Sequence, residues 1–253
     1  MKFLLSTAVL VCAIALPVPA ENSPAQPSGG NPAPPAAGDT KPTALPPPAI
    51  KPLGGPRYGL NGITFNEDTR AITLPALVNM TEGLLEYALV HEAGKVHESF
   101  LSTPVSPYDL NVVLLLLSYQ PAATFFDFSD KKAGAVLVKN PKIAPSSRLT
   151  VTLEWKDSAG KLQTAPLESL LLNVDKKATV TPGPFIYTGS FLVDDGIFMA
   201  KETGSILALY SDAAALINNP RQGHENDDIW LPDKSKVPPK STSVTITFTP
   251  APK

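Results

Sequence analysis

The only cysteine in this 253-residue chain is Cys12, and it sits inside an apolar leader. Lys2 supplies a basic start, Phe3 to Leu16 an apolar core, and Val18-Pro19-Ala20 a cleavage position, the pattern of a secretory signal over residues 1–20. The apolar run is shorter than the roughly 18 residues a spanning helix needs, so no membrane span is expected after cleavage. Lipidation at Cys12 would want a small residue before it, and Val11 stands there instead. The chain from Glu21 onward then has no thiol. That excludes disulfides, a nucleophilic cysteine, cysteine-ligated zinc and an iron–sulfur cluster. An extracytoplasmic domain of this kind, periplasmic or secreted, must be held by its hydrophobic core alone. With 43% hydrophobic residues, the chain is long enough to supply one.

Formal net charge is −2, and the acidic group Glu225, Asp227, Asp228 is too short to form a tail. Nucleic acid is therefore not an expected partner, since it demands a basic patch or stripe. Residues 21–56 are dominated by Pro, Ala, Gly and Ser, as in Asn31-Pro32-Ala33-Pro34-Pro35 and Leu45-Pro46-Pro47-Pro48. Such a linker cannot bury enough surface to order itself, and extended polyproline character is expected. It reads as a spacer, with a proline-motif ligand for a partner as the livelier reading.

The folded domain is expected over residues 57–253. Ile63–Phe65 and Ala71–Val78 read as a hairpin turning at Asn66-Glu67-Asp68, with Pro75 pointing to an edge strand or a bulge. Ser106-Pro107-Tyr108-Asp109 is a helix start, with Ser at the N-cap, Pro at N1 and an acid at N3. The run to Leu117 is apolar nearly all round and reads as a buried core helix. Strand patterns follow at 124–128, 134–139, 149–155 and 161–164. The 149–155 strand should bury Leu149, Val151, Leu153 and Trp155 on one face. Two short helices are expected at Pro166–Leu172 and Ala213–Ile217. A hairpin should cross Asp194-Asp195-Gly196, joining strands 185–192 and 196–201, before further strands at 205–210 and 243–249. The sum predicts a single α+β domain, mainly antiparallel sheet, with one buried apolar helix and two short ones.

The densest polar stretch is Leu85-Glu86-Tyr87-Ala88-Leu89-Val90-His91-Glu92-Ala93-Gly94-Lys95-Val96-His97-Glu98-Ser99. Strand-like runs flank Glu92-Ala93-Gly94, which predicts a hairpin over 85–101 with Gly94 in the left-handed conformation. That register places His91 opposite Lys95 and Leu89 opposite His97. Both imidazoles then share a face, about 7 Å apart or less at Cβ.

The blocks Leu74-Pro75-Ala76-Leu77-Val78-Asn79 and Glu82-Gly83-Leu84-Leu85-Glu86-Tyr87, running into Gly94-Lys95-Val96-His97-Glu98-Ser99, resemble the YdjY-like domain of secreted bacterial proteins. Leu114-Leu115-Leu116-Leu117, Tyr187-Thr188-Gly189-Ser190 and Ala214-Ala215-Leu216-Ile217-Asn218-Asn219-Pro220 are similar to that family in order and spacing. The resemblance covers roughly 57–250. It implies an exported domain of a functionally uncharacterised family. Some relatives carry a ferredoxin-like label because of cysteine motifs, and this chain lacks those cysteines.

Three chemistries compete for the 85–101 segment. The preferred one is a non-catalytic binding or structural module presenting Glu86, Lys95, His97, Glu98 and Ser99 to an unknown ligand or envelope partner, with no cofactor. The alternative is a divalent, zinc-type metal held by His91 and His97, with His224 as a third arm. Against it, Lys95 occupies the place of a second His in any His-Glu-x-x-His pattern. The third is hydrolysis, with His97 as base, Lys95 as electrostatic stabiliser, and Ser99 or Ser190 as nucleophile. No Gly-x-Ser-x-Gly elbow supports it.

Overall fold

The computed structural model describes residues 49–130, 134–193 and 196–252. The signal, the linker up to Pro48 and Asp194-Asp195 of the expected turn lie outside these residues. In chain order the strands begin with β1 (Lys51–Gly54), β2 (Arg57–Leu60), β3 (Ile63–Asn66), β4 (Ile72–Val78), β5 (Tyr87–His91) and β6 (Ser99–Thr103). Helix α1 (Pro107–Leu116) follows, then β7 (Phe126–Asp127), β8 (Val136–Leu137), β9 (Arg148–Lys156) and β10 (Leu162–Pro166). The chain continues through β11 (Leu171–Asn173), β12 (Ala178–Thr179), β13 (Phe185–Tyr187) and α2 (Met199–Thr203). It closes with β14 (Ser205–Ala208), β15 (Ile217–Asn218), β16 (Trp230–Pro232) and β17 (Ser243–Pro250).

The expected α+β sheet is not what forms. The fold is mainly β, and eight strands in the order β4-β17-β9-β13-β15-β14-β5-β6 close into a barrel because β6 pairs back onto β4. Strand alternation is the same in an open sheet and in a barrel. Closure depends on Leu77↔Ser102 and Val78↔Leu101, which local pattern does not show. Inside, β9 and β17 contribute Leu149, Val151, Leu153, Val244, Ile246 and Phe248, all buried. Trp155 is only partly buried.

Helix α1 starts as its sequence dictates, Ser106 Oγ accepting from Tyr108 N–H at 3.2 Å ahead of Pro107. It buries one face only. Leu110, Val113 and Leu114 are fully enclosed, each gaining about 1.5–3 kcal/mol by burial, while Leu115 and Leu116 stay half exposed. The two short helices do not form as expected. Leu167–Leu170 is a single 3-10 turn. At 213–217 the chain turns under Asp212 and enters β15, because Ile217 pairs with both Tyr187 and Leu207. The segment read as strand 196–201 contains instead the start of α2, which ends at Gly204 in the left-handed conformation.

The 85–101 hairpin is also overturned. Strands β5 and β6 run parallel, Tyr87 opposite Ser99 and His91 opposite Thr103. A parallel pair ordinarily needs a crossover of a dozen or more residues. Here residues 92–98 make the return, tightened by a 3-10 turn at Val96–Glu98. Gly94 is not left-handed. Its role is close approach: a Cβ there would lie 2.9 Å from Thr203 O and 3.1 Å from Gly204 Cα. The return loop is thereby pressed onto the barrel, and Val96 covers a small cluster of Tyr87, Val90, Ala208 and Ala215. Asn79 holds it from the other side, its Nδ2 donating to Val96 O and, at 2.8 Å, to Ser99 O.

Gly94→Ala should therefore lower the free energy of unfolding by about 1–3 kcal/mol, the usual cost of forcing a methyl into a packed contact. Urea titration of wild type and variant measures it. A loss below about 0.5 kcal/mol would mean that the loop can lift away without consequence.

Candidate functional site

The parallel return and the β14–β15 connection face each other across a cleft of about 580 Å³. Glu86, Tyr87, Lys95, Tyr210, Ser211 and Asp212 give it polar groups, and Phe126, Val136, Leu137 and Phe191 give it apolar walls. That is the size and make-up of a small-ligand site: mostly apolar lining around a few convergent polar groups.

Tyr87 forms the centre of its polar side. The side chain is buried, and its hydroxyl donates to Asp212 Oδ2 at 2.8 Å while accepting from Lys95 Nζ at 2.7 Å. Burial, followed by the neighbouring Asp212 charge, pushes the phenol well above its usual range, so it stays protonated. Asp212 is fixed in turn by Ala214 N–H, which donates to Oδ1 at 2.8 Å. Lys95 also lies 3.7 Å from Glu98 Oε1 and 4.9 Å from the centre of the Tyr87 ring. Glu86 stands on the rim. Its pKa is raised first by burial and then by the Glu98 charge, with Lys95 pulling the other way. Lys95 thus stands near two carboxylates, Glu98 and Glu86, and meets a third, Asp212, only through the Tyr87 hydroxyl, so the site has a surplus of hydrogen-bond acceptors.

The expected site residues separate into two sets. Glu86, Lys95 and Glu98 come together at this cleft. His97 points outward, 76% exposed, with Nε2 at 3.6 Å from Glu98 Oε2. Ser99 is fully buried and donates to Leu101 O at 2.7 Å. The parallel register separates the imidazoles that the hairpin would have joined. His91 Nδ1 accepts from Ala93 N–H at 3.1 Å beside α1 and α2. His224 bonds Ser211 Oγ through Nδ1, its ring tilted against Phe125 at 5.8 Å between centroids. Among the described residues, no group of three or more His, Cys, Asp or Glu side chains is placed to hold a metal. Ser190 Oγ accepts from Ala200 N–H at 3.0 Å.

Sequence reading passed over Tyr87, Ser211 and Asp212. Tyr87 and Asp212 lie 125 residues apart in sequence, and their meeting depends on the β14–β5 pairing. The one available signal was a tyrosine flanked by Glu86 in the densest polar stretch.

A family model for the YdjY domain matches residues 63–249. The chain belongs to the YdjY domain family. The match begins at β3 and ends within β17, so this YdjY domain includes every strand of the barrel. Neither a curated protein nor a solved structure matches the chain.

The raised Glu86 pKa fixes the sign of a pH effect. The folded state holds this proton more tightly than the unfolded chain, whose glutamates titrate near about 4.3. Ionised Glu86 therefore costs stability as pH rises through and above its folded pKa, and the cost disappears below about pH 4. Glu86→Gln should be more stable than wild type at pH 7–8, with the two converging in acid. Thermal unfolding across that range tests it, and a less stable Glu86→Gln at pH 8 would show that the charge is favourably held.

Proposed function

We propose that this YdjY domain is an exported, non-catalytic binding module whose ligand carries an amine or similar cationic donor on an apolar body. The observation that supports it is the cleft itself: Lys95, Tyr87 and Asp212 form one hydrogen-bonded line with Glu86 and Glu98 beside it, opposite Phe126, Val136, Leu137 and Phe191. The acceptor surplus favours a donor, and the apolar wall favours a hydrophobic remainder. Export is supported by the leader over residues 1–20 and by the thiol-free chain beyond it. The Pro-rich linker would let the domain reach a ligand at some distance from the envelope.

A second reading, acyl transfer, has one observation in its favour. Ser211 lines the cleft and its hydroxyl bonds His224 Nδ1, while His224 Nε2 lies 3.9 Å from Glu225 Oε2. Burial lowers the His224 pKa, with Glu225 pulling the other way, which keeps the ring neutral and able to accept a proton, though as a weaker base. The backbone argues otherwise. Ser211 N–H donates to His224 O at 2.7 Å, so the amide of the would-be nucleophile cannot face an oxyanion. The pair reads better as a clamp joining the 221–226 loop to the cleft.

A dansyl-labelled alkylamine and its carboxylate counterpart, titrated into the protein and followed by fluorescence, separate these possibilities. The amine should bind saturably, and both Glu86→Lys and Leu137→Asp should weaken it at least tenfold. Preferential binding of the carboxylate, or no saturation with either dye, would end the proposal. A fluorophosphonate probe should leave Ser211 unlabelled; labelling lost in Ser211→Ala would establish the hydrolytic reading instead.

A further inference from the structure

Beside the cleft, a smaller hollow of about 240 Å³ opens between the chain entering β7 and the chain leaving β13. Its walls are Pro121, Ala122, Ala123, Phe128, Thr188 and Ser190, and it shares Phe126 and Ala213 with the cleft. None of these side chains is charged. Both hydroxyls are engaged by the fold. Thr188 Oγ1 accepts from Asn218 Nδ2 at 2.8 Å and donates to Leu216 O at 3.2 Å, and Ser190 Oγ accepts from Ala200 N–H at 3.0 Å.

The base of the hollow is held by backbone. A Cβ on Gly189 would lie 2.8 Å from Pro121 Cβ, so the proline ring rests directly on a bare main chain. Ala122 N–H donates to Tyr187 O at 2.9 Å and ties the same two segments together. Ser190 has a φ of 59°, a left-handed value uncommon for a residue with a side chain, and its hydroxyl bond to Ala200 holds it there. Residues kept in such conformations gather at ligand clamps. A pocket that needs no rearrangement to be filled keeps more of its contact energy as affinity. The block Tyr187-Thr188-Gly189-Ser190, which the polar line of the cleft does not use, thus shapes a rigid, uncharged extension of the cleft.

We propose that this hollow receives the far end of an alkyl chain whose amine is held at Glu86, Tyr87 and Asp212, which makes the ligand a long-chain cationic amphiphile rather than a compact amine. This rests on the reading of the cleft as an amine site. The residues common to the two spaces, Phe126 and Ala213, are both apolar, and the polar line Lys95–Tyr87–Asp212 belongs to the cleft alone. A chain that leaves the polar line past Phe126 therefore stays against carbon until it reaches Pro121 and Ala123. A charged chain end would find no opposite charge in the hollow and would lose its water.

Hexylamine and dodecylamine, each displacing the dansyl-labelled alkylamine from the protein, test the dependence on chain length. Each methylene taken out of water is worth about fourfold in affinity, so dodecylamine should bind at least tenfold more tightly than hexylamine. Ala123 is exposed at the rim and does not line the cleft, so Ala123→Trp fills the hollow alone. That variant should leave hexylamine affinity unchanged and erase the gain of dodecylamine. Phe128→Ala, which opens the wall instead, should reduce the same gain several-fold, and it stands even where the tryptophan variant fails to fold. Equal affinity of the two amines would overturn the proposal while the amine reading of the cleft survives. A dodecylamine gain unchanged in both variants would overturn it as well, since the chain would then lie elsewhere. Displacement by neither amine would remove the amine reading and this proposal together.

Discussion

Two glycine backbones in contact decide much of this structure. A Cβ on Gly204 would lie 2.8 Å from Gly94 Cα, and one on Gly94 would meet the backbone of Thr203 and Gly204 almost as closely. Neither meeting could be relieved by turning a flexible side chain, because both partners are backbone. The contact lets a loop of only seven residues, 92–98, carry the chain from the end of β5 back to the start of β6 against the barrel wall. Val96 is thereby laid over Tyr87 and Val90, and Lys95 over the Tyr87 ring. The polar line of the cleft is a consequence of that proximity. Lys95 reaches the buried hydroxyl because its backbone is held against the same strand pair that presents it.

Barrel closure depends on a second local device, at Pro75. Strand β4 pairs with β17 along one edge, while its other edge serves β3 at Ile72 and Thr73 and β6 at Leu77 and Val78. Pro75 sits where the second edge changes partners. Its C=O faces that edge and accepts from Thr103 Oγ1 at 2.7 Å, so the N–H it lacks is missing at the one place where neither ladder needs it. A proline that would break a continuously paired central strand here marks the switch between two partners.

These devices explain which features could be read from sequence and which could not. The α1 start, the inward Leu149, Val151 and Leu153 of β9 and the Asn66 turn all rest on neighbours within a few positions and are legible, whereas Trp155, at the end of the same alternation, stays partly exposed. Asn66 Oδ1 does accept from both Asp68 and Thr69 N–H. Pro75 reads as an edge or a bulge because a change of partner within one strand leaves no local trace. Gly94 misleads for a related reason. A glycine required for φ and one required for close approach look alike, and the neighbour that separates them, Gly204, is remote in sequence. From that single misreading followed the antiparallel register and the pairing of His91 with His97. Glu86, Lys95 and Glu98 converge because the return loop ends in a 3-10 turn at Val96–Glu98, whereas the antiparallel register would put Lys95 on the face opposite to both glutamates. Asp212 was out of reach, since its partnership with Tyr87 exists only once β14 lies beside β5.

The cleft and the hollow beside it share structure, and this constrains how either can be occupied. Phe191 lines the cleft and also touches Phe128 of the hollow, while Phe126 lines both and lies 6.4 Å from Phe128. A ligand packed on one side of these rings and anything packed on the other would each narrow the same side-chain freedom. By linkage, whatever one occupant does to the affinity of the other is returned in equal measure. Where each orders Phe191 in the same rotamer, the second to bind meets a surface already ordered and the coupling is favourable; where they select different rotamers, it is unfavourable. The barrel behind these rings is closed by backbone pairing between β4 and β6, whereas Phe191 belongs to the irregular chain between β13 and α2. Adjustment between the two occupants would therefore fall on that connection and on the β7–β8 hairpin, leaving the Lys95–Tyr87–Asp212 line on its barrel strands and turn undisturbed.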